Sequence, residues 1–277
     1  MRSRLDQALV ERGLVGSRSL ARRLVLAGRV RVDGRTADKP GTQVTDAAAL
    51  VVKQPPPYVS RGGEKLAPVL EASGVDVRGL VAIDIGASTG GFTDCLLQRG
   101  ARTVVAVDVG YGQLDWGLRN DPRVEVLERT NARHLTPEDL PSELPGAIEI
   151  AVMDVSFISA AKVLPALSRV CADKCDALIL VKPQFEAGPD RVETGGVVRD
   201  PAVRRATLTG VANAALELGW SVEQALASPL RGPAGNWECF LHLRRGGPPQ
   251  TAATDPIAAL PIPDDRKQRR QQRESTP

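Results

Sequence analysis

Apolar positions recur along the chain with a period that changes from block to block. Near the start Leu5, Ala8, Leu9 and Val10 stand at helical spacing, and Leu20, Ala21, Leu24 and Val25 repeat it between Ser17 and Gly28. Residues three and four apart share one helix face, and a serine before the run caps it, so two short amphipathic helices are predicted. The period then falls to two. Val30 and Val32 alternate with Arg29 and Arg31, Asp33-Gly34 marks a tight turn, and residues 49–52 form a further strand-like run. Together these segments describe a small α+β unit over residues 1–53. Residues 54–60 then begin Gln-Pro-Pro-Pro-Tyr, a stiff linker because consecutive prolines fix φ.

Beyond the linker, short apolar runs alternate with helical patterns. Strands are expected at 81–85, 103–107, 124–127, 148–152, 177–181, 220–225 and 237–243. Helices are expected at 60–72, 92–99, 113–119, 163–172 and 203–218. Alternating strands and helices imply an α/β fold: a Rossmann-like, doubly wound, mostly parallel sheet over residues 61–245 with ligands at the carboxyl ends of its strands. Residues 246–277 are rich in Pro, Gln and charge and are expected to be disordered, with Arg266-Lys-Gln-Arg-Arg270 adding weak RNA contact.

Composition refines this picture. A chain of 277 residues with 42% hydrophobic content buries a substantial core. The net charge is only +3, but residues 1–60 hold 11 Lys and Arg against 5 Asp and Glu. A local basic excess points to a polyanionic partner for the first unit. Its arginines Arg18, Arg22, Arg23, Arg29 and Arg31 fall on the second helix and the following strand, where one basic face would meet RNA phosphates without reading sequence. Cys95, Cys171, Cys175 and Cys239 are too scattered for a disulfide framework, which suggests reduced thiols and a cytoplasmic setting. Cys171 and Cys175 are spaced to share a helix face, yet His134 and His242 complete no zinc pattern, so no metal site is expected. No apolar run approaches the roughly 20 residues of a membrane span, and the arginine-rich start lacks a signal-peptide core.

The candidate chemistry gathers at strand ends. Val81-Ala-Ile-Asp-Ile-Gly-Ala-Ser-Thr-Gly-Gly-Phe92 describes a buried strand turning into a helix, where Gly86, Gly90 and Gly91 permit positive φ and close approach of a ligand. The spacing departs from the dinucleotide fingerprint, and no P-loop Lys-Ser/Thr follows. Asp84 lies inside this turn, and Asp108 ends the next strand 24 residues later, where an acid binds the hydroxyls of an adenosine ribose. These two strand ends suggest S-adenosylmethionine. Lys65, Asp154, Lys182 and Glu238 are positioned to converge on one mouth of the sheet. Two lysines and two carboxylates compensate one another, and Lys182, with Lys65 near it, is the candidate to accept a proton from a sugar hydroxyl.

Arg4-Leu-Asp-x-x-Leu, Ser17-Arg-x-x-Ala21 and Ala27-Gly-Arg-Val-Arg-Val-Asp-Gly34 resemble a small RNA-binding domain first recognised in a ribosomal protein. Val59-Ser-Arg-Gly-Gly-Glu-Lys65, Asp154-Val-Ser-Phe-Ile-Ser159 and Val181-Lys-Pro-Gln-Phe-Glu186 resemble the TlyA family of ribosomal RNA 2′-O-methyltransferases, and more distantly the FtsJ-like enzymes. The resemblance runs from about Arg4 to Arg244. It implies a Lys65, Asp154, Lys182 and Glu238 catalytic set, with Asp84, Gly86, Ser88, Asp108 and Asn131 around the cofactor. It also implies a cytidine in 23S or 16S ribosomal RNA, within ribosomal subunits, as the acceptor. Phe157 is open to two readings, a platform for an extruded base or a core side chain. An inactive RNA-binding or ribosome-assembly protein is the alternative reading. A membrane-lytic haemolysin, the older label of the family, is the weaker one.

Overall fold

In the computed structural model the described residues are 2–53, 56–247 and 255–265. The chain divides into two units at Pro57/Tyr58. In the first unit the predicted helices are α1 (Leu5–Glu11) and α2 (Arg18–Leu26), and Ser17 caps α2 by accepting the Leu20 amide. Strand β1 (Arg2–Arg4) pairs antiparallel with β4 (Gln43–Thr45), a pairing the pattern did not announce because each partner is only three residues long. Strands β2 (Val30–Val32), β3 (Arg35–Ala37) and β5 (Leu50–Val52) make a second small sheet in the order β3-β2-β5. Leu5, Leu9, Ala21, Val25 and Val30 close its core, so the residues that set the helical and alternating periods are those that pack together.

The second unit begins with Tyr58 rather than after the expected linker. Tyr58 packs on its core, and a Cβ on Gly63 would lie 2.2 Å from the Tyr58 ring. Helix α3 (Arg61–Ser73) follows, capped by Ser60. Strands β6 (Val81–Ile85), β7 (Thr103–Val107), β8 (Val124–Leu127), β9 (Ile148–Met153), β10 (Cys171–Val181), β11 (Ser221–Ala227) and β12 (Cys239–Arg245) form a sheet in the order β11-β12-β10-β9-β6-β7-β8. The pairs from β10 to β8 are parallel, and β12 runs antiparallel between β10 and β11. Helices α4 (Gly91–Gln98), α5 (Trp116–Arg119), α6 (Leu164–Val170), α7 (Pro183–Glu186) and α8 (Pro201–Glu217) connect the strands. Along β6, Val81, Ile83 and Ile85 enter one core with Leu164, Leu167, Leu208 and Val211, while Ala82 enters another with Leu66, Leu70, Cys95 and Leu96. The expected α/β architecture is therefore present. Strand order reverses direction at β6, with β7 on one side and β9 on the other, and crevices outside such switch points are where ligands enter α/β sheets.

Several expected elements change on folding. The helix expected at 113–119 starts only at Trp116, because Gly112 has φ +70° and Asp115 caps the helix by accepting the Gly117 amide. The helix expected to reach 172 ends at Val170, since Cys171 is already extended, so Cys171 and Cys175 stand on β10 and share no helix face. The tail expected to be disordered from 246 is ordered in part. Residues 255–265 lie against the domain, with Ile257 and Leu260 buried and Arg204 reaching Pro263 O and Asp265. Arg204 has no exposed surface, and a buried guanidinium needs such acceptors. The basic run 266–270 lies outside the described residues. Among the described residues no helix is long and apolar enough to cross a membrane.

Asp84 shows how the β6 turn is secured. Its Oδ2 accepts from the Thr93 amide at 2.9 Å and the Thr93 hydroxyl at 2.7 Å, which ties the first turn of α4 to the strand. Burial is complete, and together with the charges of Asp154 and Asp108 it pushes the carboxyl up to about 7, against the Thr93 hydrogen bonds. A carboxyl raised in the folded state contributes stability at low pH that is lost as pH climbs from the unfolded value, 3.8, through about 7. Asp84→Asn should therefore gain stability relative to the parent across that window, with a slope of up to about 1.4 kcal/mol per pH unit in urea denaturation. A difference that stays constant from pH 4 to 7 would show that Asp84 does not titrate there.

Candidate active site

The sheet brings its carboxyl ends to one edge. Gly86 follows β6, Asp108 follows β7, Asp154 follows β9 and Lys182 follows β10. Because β12 is antiparallel, its beginning lies at that same edge. Val181 pairs with Cys239, so Lys182 and Glu238 are the next residues outward on adjacent strands. Asp154 donates its amide to Ile85 O at 2.9 Å, which sets it beside the β6 turn. A Cβ on Gly86 would stand 2.8 Å from Asp154 O, and the residue has φ +85°, so only glycine lets these two strand ends approach.

The four charged residues meet as two pairs. Lys182 Nζ lies 2.6 Å from Asp154 Oδ1 and donates to Ser156 Oγ at 2.8 Å. Lys65 Nζ, from the second turn of α3, donates to Glu238 Oε2 at 2.5 Å. Lys65, Lys182 and Glu238 are buried, and Asp154 is the most open of the four at 22% side-chain exposure. Each lysine thus has its own carboxylate rather than sharing a mixed cluster. Ion pairs so far out of water persist because removal of one partner would strand the other charge. Both lysines, Asp154 and Ser156 line a cavity of about 380 Å³ that Ser60, Arg61 and Arg231 also border. Glu238 stands behind Lys65, and its Oε1 has no hydrogen-bond partner among the described residues.

A second cavity, of about 480 Å³, shares Gly86, Ser88, Asp154 and Ser156 with the first. Asp108, Gln113 and Asn131 supply its polar wall, and Val107, Val109, Ala132, Ile158 and Val163 its apolar one. Asp108 organises the loops here: Oδ2 accepts the Ser88 amide at 2.8 Å and Oδ1 the Gly110 amide at 2.6 Å. Ser88 adopts φ +50°, a left-handed conformation held by that bond. Each carboxylate oxygen keeps a second lone pair for a hydroxyl. Asn131 Oδ1 accepts the Arg133 amide. An apolar slot with an acid, an amide and a glycine turn suits an adenosine with a polar extension, so the residues present fit S-adenosylmethionine.

Two expected cofactor contacts are placed differently. Asp84 lines neither cavity and has no exposed surface; it stands behind the turn, with Oδ2 bound to Thr93. Gly90 also lines neither. It has φ +96°, and a Cβ there would fall 2.3 Å from Leu118, so it serves the fold of the turn. Phe157 is not a core residue: it is 92% exposed at φ +64°, borders the larger cavity and packs on Phe185 with ring centroids 5.2 Å apart. Ser156, Ser60 and Arg231 were not singled out from the sequence. Ser156 lies within the 154–159 stretch that carries the resemblance, but its hydroxyl had no assigned role there, and Arg231 sits in a Gly- and Pro-rich loop with no periodicity.

In the first unit, Arg22, Arg23 and Arg31 are exposed and Arg29 is half-buried. Arg18 donates to Asp6 at 3.2 Å and Arg4 does so twice. Asp6 is fully buried, and the Arg4 bond, aided by Arg18, holds its carboxyl below the usual range against burial. Arg18 is therefore partly committed to the fold, while Arg22, Arg23 and Arg31 are the freer part of the basic face.

Comparison with known proteins agrees with both units. Residues 58–245 match the model of the FtsJ-like methyltransferases, and residues 3–48 match that of the S4 domain. A Mycobacterium tuberculosis protein described as a 16S/23S rRNA (cytidine-2′-O)-methyltransferase, TlyA, is 54% identical over 245 residues, covering 88% of this chain and 90% of its own length. Hemolysin A of Brachyspira hyodysenteriae is 39% identical over 86% of this chain and 98% of its own. A solved Streptococcus thermophilus protein that bears a hemolysin label superposes with a TM-score of 0.70 at 38% identity, over 99% of both chains. A match of this depth across both units is family membership: the chain belongs to the TlyA family, FtsJ-like methyltransferases with an S4 domain.

Proposed function

We propose that the protein is an S-adenosylmethionine-dependent ribosomal RNA (cytidine-2′-O)-methyltransferase that works on ribosomal subunits in the cytoplasm. The observation that carries this reading is the Lys182–Asp154 pair, 2.6 Å apart, in which Lys182 lines the open cationic cavity and Asp154 stands on the wall that cavity shares with a cofactor-sized one. Such a pair suits proton removal from a sugar hydroxyl better than it suits support of the fold, because Asp154 is left partly open at the junction. The Mycobacterium tuberculosis relative supports the cytidine and both ribosomal RNAs as acceptors.

In this reading Asp108, Asn131, Ser88 and Gly86 hold the cofactor. S-adenosylmethionine supplies a methyl already activated on sulfur, which leaves alignment and deprotonation to the protein. Lys182, after releasing its extra proton to solvent and held as the neutral amine by Asp154 and Ser156, receives the 2′-hydroxyl and takes its proton on Nζ as the oxygen becomes a nucleophile. Asp154 holds the ammonium that forms. Lys65, braced by Glu238, keeps a second cation at the same wall and balances the carboxylate there. Phe157, exposed on the loop that carries Asp154, stacks against the base whose ribose enters the site. The exposed Arg22, Arg23 and Arg31, with the half-buried Arg29 and with Arg18, place the S4 domain on structured RNA through phosphates. Intact charge pairs weigh against an inactive assembly factor.

Lys182→Ala should cut transfer of labelled methyl to isolated 30S or 50S subunits by roughly 100-fold or more, the scale of a lost general base, while cofactor affinity in calorimetry stays close to that of the parent. Asp108→Ala should show the opposite bias, with weaker cofactor binding as the main defect. An Asp108 variant with undiminished cofactor affinity would remove that residue from the cofactor site. Neutralising Arg18, Arg22 and Arg23 together should weaken subunit binding and flatten its salt dependence by about 2 to 3 units of slope. An unchanged slope would exclude that face from RNA contact.

A further inference from the structure

Arg231 belongs to the loop between β11 and β12 and borders the same cavity as Lys65 and Lys182. Its guanidinium is held from the far end of the chain. Nη1 and Nη2 donate to Asp265 Oδ2 at 2.6 Å and Oδ1 at 3.0 Å, and Nη1 also donates to Gly235 O at 3.1 Å. A guanidinium has five N–H donors in a planar fork, so the Nε and remaining Nη2 hydrogens, which form one edge, are left for a ligand. That edge matches two oxygens of a phosphate.

Charge around Asp265 gives this edge its purpose. The same Asp265 Oδ2 accepts from Arg204 Nη2 at 2.6 Å, and Arg204 has no exposed surface. One carboxylate therefore serves two guanidiniums, and the triad carries a net positive charge. Arg204 is fully buried and is further bound to Val198 O and Pro263 O, whereas Arg231 keeps 46% of its side chain exposed. The surplus charge is thus presented by Arg231, at the rim where the lysine pairs stand. Arg61 donates to the backbone carbonyl of Arg231 at 3.2 Å, which braces the loop from α3.

We propose that Arg231 binds a phosphate of the RNA strand carrying the reacting ribose, and that Asp265 is the positioning residue that aims it. The proposal rests on the reading of an RNA acceptor given above. A cofactor carboxylate is the other oxyanion this reaction would bring near, but Arg231 borders the lysine cavity and not the one walled by Asp108 and Asn131. Residues 255–265 thereby acquire a role: they fix a phosphate contact beside the site from a segment remote in sequence.

The test compares the full-length parent with Arg231→Ala, Arg231→Lys and Asp265→Asn. Binding to isolated 30S and 50S subunits is measured across a salt series, and S-adenosylmethionine binding is measured by calorimetry. Arg231→Ala should weaken subunit binding about tenfold, the scale of one charge-assisted contact, and reduce the salt slope by about 1, with cofactor affinity unchanged. Arg231→Lys should keep the slope but recover little of the affinity, since a lysine lacks the planar fork that Asp265 aligns. Asp265→Asn should behave like Arg231→Lys; if it fails to fold, the two Arg231 variants decide alone, because both keep Asp265 on Arg204. Parental affinity and slope in Arg231→Ala would overturn the proposal. Weakened cofactor binding with intact subunit binding would overturn it in favour of a carboxylate site. Binding is read without methyl transfer, so a parent that binds subunits but transfers no methyl would sink the functional reading and with it the reacting ribose, while the Arg231 phosphate contact would still be decided by the salt slopes.

Discussion

The site depends on keeping four ionisable side chains at the edge of a hydrophobic sheet without leaving any charge alone. Lys65 with Glu238 and Lys182 with Asp154 solve this as two short pairs. Each pair joins elements far apart in sequence: α3 to β12 in one case, and the ends of β10 and β9 in the other. The pairs therefore require β12, β10 and β9 to be neighbours in the sheet. If β12 ran parallel to β10, Glu238 would be carried to the opposite edge, and Lys65 would be left buried without a counter-charge. Such an uncompensated charge costs several kcal/mol, enough to outweigh most single packing contacts in the core. Chemistry and topology are coupled through this constraint.

Around that edge the protein divides its polar residues between those that meet a ligand and those that hold others in place. Asp84 holds the α4 turn in place, since its Oδ2 accepts from the Thr93 amide and hydroxyl and it stands behind both cavities. Asp108 does both: it fixes the Ser88 and Gly110 amides and remains on the cavity wall. Ser156 restrains the lysine that the proposed reaction uses. Gly86 contributes by absence, because a side chain there would force the β6 and β9 ends apart and separate the two cavities' shared wall. Asp265 extends the same logic to the rim.

Much of this was legible in the order of residues. The parallel strands announced themselves as continuous apolar runs, and the runs that end at Asp154 and at Lys182 put those two side chains at the carboxyl edge of the sheet. Glu238 was grouped with the set as a polar residue at a strand end, but its pairing with Lys65 was not legible, since that depends on β12 being antiparallel. The bond from Asp84 to Thr93 was not legible, because an acid beside glycines signals a ligand loop equally well whether its carboxylate faces the ligand or the following helix. The segment 255–265 was missed because proline and charge mask two apolar anchors, Ile257 and Leu260, and because Arg204 discloses its need for Asp265 only when buried. Arg231 carried no signal at all, being one arginine in an irregular loop.

The most direct test of the central claim is the chemical identity of the product. Isolated subunits would be incubated with the protein and isotopically labelled S-adenosylmethionine, the RNA digested to nucleosides, and the labelled species separated by mass spectrometry. Label is expected in 2′-O-methylcytidine alone, because a lysine held at a strand end beside a cationic cavity addresses a sugar hydroxyl. Label on a cytosine ring, or on the ribose of another nucleoside with none on cytidine, would contradict it.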